Sequence, residues 1–277
     1  MIPLPDIQNS RDKRGLRLPK VGIIHFHFGL YTAANITTQA SADAYVSLNA
    51  SSRGINMSRI GEAILEVNAS HAEDTRSGFT TFIGEILNEL TKRLTAHDAY
   101  VKIKFPLLVD KEAPISKKVG PAHYEVTLEG IKKNKVLMYY LSVQVQYISC
   151  CSCSKALSEH LACDSKHGAP HNQRSFADVT IELNPKKELL AVQLIELIEK
   201  AVYTLPYPII KRADEQEVAR RSWEFTQFVE DSSRNIGLAL NKDPRIADWL
   251  VVVTHMESIH QHEATAVLYK GKKGGLR

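Results

Sequence analysis

The sequence has few cysteines, little net charge and no long apolar run. Four cysteines among 277 residues are too few for a disulfide-stapled secreted domain, and a reducing compartment keeps such thiols free. The formal net charge is only +4. Nucleic-acid-binding proteins usually have a denser basic surface, so we expect no nucleic-acid partner. No apolar stretch approaches the roughly 20 residues that span a bilayer, so we expect no membrane partner. The start is charged and has no apolar segment typical of a secretory signal, so we expect a cytoplasmic protein.

What remains is an ordinary globular composition. Hydrophobic residues make up 44% of the chain and charged residues 24%, a balance typical of folded domains. The length allows one large domain or two modules, each with a core of its own.

The hydrophobic pattern predicts strands, then helices, then strands, and this order occurs twice. Apolar residues at every second position are typical of half-buried strands, and apolar residues three and four apart are typical of helices. The first half predicts strands at 20–31, 41–50, 99–109, 122–131 and 135–149, with helical stretches at 60–67 and 79–96. The second half predicts a strand at 175–183, helices within 184–205 and 214–240, and two strands around a histidine-rich turn within 248–271.

Two local signals refine this pattern. Gly130 and the KKNK that follows predict a turn between two strands. Asn184 is a predicted helix N-cap, with Pro185 at the first helical position. Sequential strands with segregated helices favour an antiparallel α+β fold over a βαβ fold. We therefore expect an N-terminal arm at 1–18, a first module at 19–130 and a second module at 131–277.

All four cysteines lie between residues 149 and 175, together with three histidines. Clustered thiols in a cytosolic protein indicate metal binding or catalysis more than disulfide formation. Cys151 and Cys153 form a C-x-C, and His171 follows 20 residues after the first of them. The neighbouring basic residues Lys155, Lys166 and Arg174 favour a metal-binding thiolate. The alternative is a set of buried small residues beside a satisfied histidine.

Two further groups lie downstream. Asp214-Glu215 and Glu230-Asp231 are acidic pairs, and on one unbroken helix Glu215 and Glu230 would lie about 60° apart around the axis. The alternative is a solvated helix face with ion pairs four residues apart. His260 and His262 alternate, so in a strand they would share one face with Ser258. The alternative is exposed histidines on an edge strand.

Six motifs, spread from about residue 53 to 265, give the chain a family resemblance. They read GINMSRI, CSCSK, APHNQRS, YPIIKRADEQEV, FVEDSSR and ESIHQHEA. Together they make the sequence similar to GTP cyclohydrolase I of type IB. The resemblance implies hydrolytic opening of the guanine ring of GTP at C8, release of formate and rearrangement to 7,8-dihydroneopterin triphosphate for tetrahydrofolate synthesis. It also implies tandem tunnelling-fold modules, with antiparallel sheets, helices on one face, and barrels that form when the subunits assemble into a homotetramer.

The resemblance implies a role for each matching residue. Cys151, His171 and Glu215 match the metal ligands, for which manganese is often favoured and zinc or iron are alternatives. Glu230 matches the carboxylate that anchors the purine. Cys153 lies beside the metal in the motif and is expected either to support the metal ligands or to act in the mechanism, rather than to have a structural role.

Further residues are expected to contact the substrate. His260 and His262 match a pair near the substrate, and we favour His260 as the proton-transfer group, oriented by Glu257, with His262 in substrate binding. The triphosphate is negatively charged and therefore needs basic partners. Guanidinium groups match the geometry of phosphate oxygens best. The candidates are Lys155, Arg174, Lys211, Arg59 and Arg53.

The chain departs from the family pattern in two places. Ser152 lies between the two cysteines, where the family usually has proline. The stretch before the histidine motif is longer than usual and contains His160, Cys163 and His167 as further candidate ligands, although the context HNQRS favours His171. Two alternatives stay open: another pterin or deazaguanine enzyme of the same fold, and a non-catalytic metal-binding relative.

Overall fold

The computed structural model describes residues 6–8, 10–31, 37–73, 78–161, 168–184, 187–273 and 275–276. Pro185, Lys166, Cys163 and His167 lie outside the described residues. In the part of the chain that is described, no helix is long and apolar enough to cross a membrane.

Strands and helices follow one another in the predicted order, except for one unpredicted short helix between the fifth and sixth strands. The first elements are β1 (Leu18–Tyr31), β2 (Thr37–Leu48), α1 (Ser58–Glu73), α2 (Phe79–Arg93), β3 (Ala99–Glu112) and β4 (Val119–Lys133). They are followed by β5 (Val136–Cys150), α3 (Ser152–Leu161), β6 (Asn172–Leu183), α4 (Ala191–Val202), α5 (Arg212–Glu224), α6 (Val229–Asn241), β7 (Ile246–His255) and β8 (Ala264–Tyr269). The sheet order is the sequence order. The pairs β1–β2, β2–β3 and β7–β8 are antiparallel. The predicted α+β class is therefore confirmed, and a βαβ arrangement is excluded for these pairs.

The chain divides into two compact units. Unit 1 contains Met1–Pro106, Thr127–Leu141 and Leu183–Glu188. Unit 2 contains Leu107–Val126, Ser142–Glu182 and Leu189–Arg277. The division into sequence modules at residues 130 and 131 stays a prediction.

The core of unit 1 contains the apolar faces of α1 and α2. Ile60 and Ile64 are one helical turn apart on α1, Ile83 and Leu87 are one turn apart on α2, and all four are fully buried. Each such side chain contributes about 1.5–3 kcal/mol through removal from water. In β2 the buried residues alternate with less buried ones, as the sequence predicts.

The predicted turn is confirmed at Asn134 and Lys135 of the KKNK segment, whereas its placement at Gly130 is wrong. This glycine lies inside β4, where an added Cβ would be 2.2 Å from Cγ2 of Ile83. The turn instead uses Asn134 and Lys135, whose φ angles are 50° and 67°. Two successive residues with positive φ are typical of the tight hairpin turn that matches strand twist. Gly130 is therefore a close-packing position, which the sequence does not distinguish from a turn.

The predicted helix N-cap at Asn184 is also wrong. β6 ends at Leu183, and α4 begins only at Ala191, where Gln193 Oε1 accepts a hydrogen bond from the Leu190 backbone N–H (3.2 Å). The intervening Glu188 belongs to unit 1, and its carboxylate accepts a hydrogen bond from the backbone N–H of Thr80 (3.1 Å) in the first turn of α2. An acidic side chain is stabilising at a helix N-terminus. Glu188 therefore stabilises the start of α2 and lies before the first residue of α4.

The core of unit 2 contains residues from α4, α6, β6 and β7. The fully buried Leu194 and Ile198 are four residues apart on α4, and Ile236 is fully buried on α6. Val251 and Val253 alternate with less buried residues along β7, where the sequence predicts a strand. The histidine-rich turn between β7 and β8 is confirmed.

The polar helical region 214–240 is two helices rather than one. α5 ends at Glu224 and α6 begins at Val229, because the Gln227 backbone N–H donates a hydrogen bond to the Cys150 carbonyl at the end of β5 (3.0 Å). The angle of about 60° between Glu215 and Glu230 therefore does not apply, since it requires one unbroken helix.

Candidate active site

Cys151 lies at the junction between β5 and the helix α3. The sequence does not predict this helix, which begins at Ser152 within the C-x-C motif. The Cys151 carbonyl accepts a hydrogen bond from the Lys155 backbone N–H (3.0 Å), and its Sγ accepts one from the Ser154 backbone N–H (3.5 Å). The helix start therefore fixes the position of the thiol. Cys153 is exposed in the first turn, and Cys150 is buried, which raises the pKa of the Cys150 thiol.

His171 is held beside Cys151 by two backbone hydrogen bonds. The Cys151 N–H donates to the His171 carbonyl (3.2 Å), and the His171 N–H donates to Ser154 Oγ (3.2 Å). These bonds join the junction after β5 to the residue that precedes β6. The structure thus brings together two predicted ligands that lie 20 residues apart in sequence.

The segment after β7 supplies further groups to the His171 ring. Nδ1 lies 3.0 Å from Gln173 Oε1, 3.3 Å from Ser258 Oγ and 4.0 Å from Glu257 Oε2. The family resemblance implies that Glu257 orients His260, whereas the Glu257 carboxylate lies beside His171.

Glu215 lies in the first turn of α5, next to a buried carboxylate. Both oxygens of Asp214 accept backbone hydrogen bonds. One accepts from Lys211 (2.8 Å), the N-cap of α5, and the other accepts from Ile115 and Ser116 (2.8 Å each), which precede β4. Burial alone would raise the pKa of Asp214, but the hydrogen bonds from Ser116, Lys211 and Ile115 outweigh it and hold that pKa well below its usual range. Asp214 therefore fixes the start of the helix that carries Glu215.

Glu215 shares a pocket of about 500 Å³ with Tyr147, Gln173 and Arg174. Among the described residues, however, no group of three or more His, Cys, Asp or Glu side chains is arranged to hold a metal ion. The chemistry of a thiolate, an imidazole and a carboxylate fits a borderline divalent cation. The assignment of Cys151, His171 and Glu215 as a ligand set therefore stays a prediction.

Glu230 lies in the first turn of α6, with its side chain exposed. The adjacent Asp231 caps this helix, because its Oδ2 accepts a hydrogen bond from the Phe228 N–H (3.1 Å). A buried pair, Tyr147 and His255, lies nearby, with the Tyr147 hydroxyl 2.7 Å from His255 Nε2. Burial lowers the pKa of His255 to about 4, although the Glu230 carboxylate acts in the opposite direction.

His260 and His262 lie in the turn between β7 and β8 rather than in a strand. Both are exposed, and their rings stack with centroids 5.1 Å apart and planes 9° apart. The edge-strand interpretation is therefore wrong, and their role in proton transfer stays a prediction. The additional candidate His160 is exposed on α3.

The predicted phosphate-binding residues lie in both units. In unit 2, Arg174 and Lys211 are exposed, and Lys155 Nζ lies 5.4 Å from the centre of the Trp223 ring. In unit 1, Arg59 lines a polar pocket of about 630 Å³. Its guanidinium donates a hydrogen bond to the Arg93 carbonyl (3.1 Å).

A family model described as type I GTP cyclohydrolase folE2 matches residues 4–266. The chain belongs to the FolE2 family. The GTP cyclohydrolase FolE2 of Dictyoglomus turgidum is 34% identical over 272 residues, which cover 97% of this chain and 98% of the relative. That of Thermotoga maritima is 33% identical over 272 residues, with the same coverage, and that of Cereibacter sphaeroides is 36% identical over 278 residues, which cover 97% of this chain and 76% of the relative.

Solved structures place this FolE2 family member in a known fold. Uricase from Arthrobacter globiformis has a TM-score of 0.54 at 6% identity, over 99% of this chain and 98% of that one. A uricase from Bacillus fastidious has a TM-score of 0.53 at 10% identity, over 93% and 94% of the two chains. At such identities the likeness shows the fold alone, and it confirms the predicted tunnelling fold.

The chain also contains residues near the site that the sequence did not single out: Gln173, Tyr147 and His255, all of them buried. Gln173 lies within the motif APHNQRS, so a signal existed for it. Asp214 is predicted only as one of an acidic pair, and its buried hydrogen bonds are visible only in the structure. Tyr147 and His255 read only as strand residues, because periodicity does not reveal that two distant strands bring their polar groups together.

Proposed function

We propose that this chain is a GTP cyclohydrolase that opens the guanine ring of GTP at C8, releases formate and yields 7,8-dihydroneopterin triphosphate. The supporting observation is the pairing of Cys151 with His171, in a chain whose family match covers residues 4–266. The proposal includes a cytoplasmic homotetramer, as the resemblance implies.

Cys151, His171 and Glu215 would hold a divalent metal ion, with manganese favoured and zinc or iron as alternatives. When bound, such an ion supplies Lewis acidity that activates water at neutral pH. The Ser154 N–H holds Cys151 Sγ at the helix start, and Asp214 holds the start of α5. Two of the three donors are therefore presented from rigid helix termini.

Glu230 would anchor the purine. Its two carboxylate oxygens match the N1–H and the exocyclic amine of guanine, a bidentate arrangement of charge-assisted hydrogen bonds. Because Asp231 already caps α6, the Glu230 side chain is available for substrate.

His260 would donate a proton to N7 of the purine as C8 is attacked, and His262 would contact substrate beside it. Cys153, exposed in the first turn of α3, would act near the reacting atoms. Arg174, Lys211 and Lys155 would neutralise the triphosphate, with Lys155 placed over the face of Trp223. Arg59 would reach the substrate of a neighbouring subunit.

The test is conversion of GTP with Mn²⁺ present, followed by pterin fluorescence after oxidation and by formate release. His171→Asn should abolish product, whereas His160→Asn, the same change at an exposed histidine of α3, should retain activity. No product with any divalent ion contradicts the proposal. Metal binding without turnover favours a non-catalytic relative, and metal-independent chemistry favours another enzyme of the fold.

A further inference from the structure

Gln173 belongs to a buried chain of polar side chains that joins β5 to β6. Its Nε2 donates a hydrogen bond to Ser149 Oγ (3.0 Å), and Ser149 Oγ lies 2.7 Å from Ser175 Oγ. Gln173 is 7% exposed, Ser149 1% and Ser175 0%. Buried polar groups of this kind must be hydrogen-bonded, so both ends of the amide have fixed partners.

The other end of the amide is directed at His171. With its nitrogen bonded to Ser149, the Gln173 side chain presents Oε1, which only accepts hydrogen bonds, to His171 Nδ1 at 3.0 Å. The Glu257 carboxylate, 4.0 Å from the same nitrogen, also only accepts, and the Ser258 hydroxyl at 3.3 Å does so when it turns its proton away. The groups around Nδ1 therefore favour a proton on that atom.

We propose that Gln173 is a positioning residue that fixes the neutral His171 ring as the Nδ1–H tautomer and so leaves the lone pair of Nε2 for a divalent metal ion. The inference rests on the proposed function, because it concerns the ring assigned to the metal there. A histidine ligand usually donates its second ring N–H to an acceptor, which orients the ring and increases its basicity. Here the acceptor is the amide oxygen of Gln173. The orientation of this amide is fixed by the hydrogen bond from its nitrogen to Ser149, which in turn is hydrogen-bonded to Ser175.

The tautomer can be read directly on the metal-free full-length chain. With ¹⁵N-labelled histidine, two-dimensional ¹H–¹⁵N spectra distinguish a protonated ring nitrogen from an unprotonated one, and His171→Asn assigns the signals by their loss. We expect His171 to show a protonated Nδ1 and an unprotonated Nε2. The opposite tautomer, with Nε2 protonated and Nδ1 unprotonated, would mean that the amide points the opposite way, and the inference would be wrong.

Metal affinity provides the second measurement, with Co²⁺ as a spectroscopic probe of thiolate and imidazole ligation. Gln173→Leu removes the acceptor and should weaken Co²⁺ binding about 10- to 100-fold. Gln173→Glu keeps an acceptor at the same place and should restore affinity close to that of the unchanged chain. Gln144→Leu is the matched control, because Gln144 makes its own hydrogen bond to Asp178 (2.8 Å) on the same two strands, and it should leave affinity unchanged.

The outcomes separate the inference from the proposed function. Unchanged Co²⁺ affinity in Gln173→Leu, or equal loss in Gln144→Leu, overturns the positioning role. If Gln173→Leu does not fold, the inference is tested by the His171 tautomer in the unchanged chain and by the Co²⁺ affinity of Gln173→Glu. Absence of any Co²⁺ binding overturns the inference and the metal assignment together. A chain with the expected tautomer and affinities but no turnover of GTP contradicts the proposed function and supports the inference.

Discussion

The Tyr147 hydroxyl lies 2.7 Å from Nε2 of His255, and both side chains are buried. Their rings also meet edge to face, with centroids 5.7 Å apart. Burial raises the pKa of Tyr147 and lowers that of His255. The phenol therefore keeps its proton, and the Tyr147 O–H donates a hydrogen bond to Nε2 of the neutral His255 imidazole.

Tyr147→Phe should destabilise the protein by about 1–3 kcal/mol, because His255 Nε2 then lacks a donor inside the core. Urea denaturation measures the change. Tyr269→Phe is the control, since Tyr269 is 49% exposed on β8, and it should stay within about 0.5 kcal/mol. Equal effects in the two variants would contradict the role of the pair.

Stability should fall as the pH is lowered through the range between the ordinary pKa of histidine, 6.5, and the folded value of His255, about 4. The unfolded chain binds the proton first, so the contribution of neutral His255 is complete above the ordinary pKa and is lost toward the folded one. The full loss is about 3 kcal/mol. Free energies of unfolding measured across this range test it, and His255→Gln should flatten that part of the profile. A slope that the variant leaves unchanged would assign the effect to other groups.

Asp214→Ala should cost about 2–4 kcal/mol of stability, because three backbone N–H groups, those of Lys211, Ile115 and Ser116, lose a charged acceptor. Asp214→Asn should cost less, since its amide oxygen still accepts. Thermal or urea unfolding measures both. Asp110→Ala, at an exposed position of β3, should be nearly neutral, and a similar loss there would show that the buried hydrogen bonds are not the cause.

Gly130→Ala should destabilise by about 1–3 kcal/mol through overpacking, since the new methyl group would lie 2.2 Å from Ile83 Cγ2 and 2.9 Å from Leu87 Cδ1. Gly29→Ala is the matched change in β1, where the nearest atom is 3.8 Å away, and it should be tolerated. Adding Ile83→Ala to Gly130→Ala should cost less than the sum of the two changes. Strict additivity would contradict the steric origin.

Glu230→Gln should lower kcat/KM for GTP at least about 100-fold, because an amide cannot accept from both purine donors and loses the charge. Asp231→Asn, the same change one residue along, keeps an oxygen to cap α6 and should retain most activity. Steady-state kinetics with circular dichroism on both variants give the comparison. Similar losses in both would indicate damage to the helix rather than to purine binding.

Much of this architecture is predictable from local pattern. Every predicted strand is present, because alternating apolar residues are enough to indicate a half-buried strand. The buried faces of α1 and α2 likewise follow from the spacing of their apolar residues. The motifs select Cys151 and His171 as partners, and the structure joins their backbones. The errors are local: Gly130 reads as a turn residue and Asn184 as a cap, because both residue types have more than one use.

The sequence by itself determined the order of the strands, the order of every helix except α3, and the residue types that the site requires, since hydrophobic period and side-chain chemistry are local properties. Only the tertiary structure decided that Glu257 lies at the His171 ring, that Gln227 meets Cys150 and so divides the long helix, and that His255 is buried against Tyr147. Each of these depends on contacts between groups far apart in the chain. Burial and hydrogen-bond partners, which set the pKa of a histidine or the orientation of an amide, arise only when those distant segments pack together.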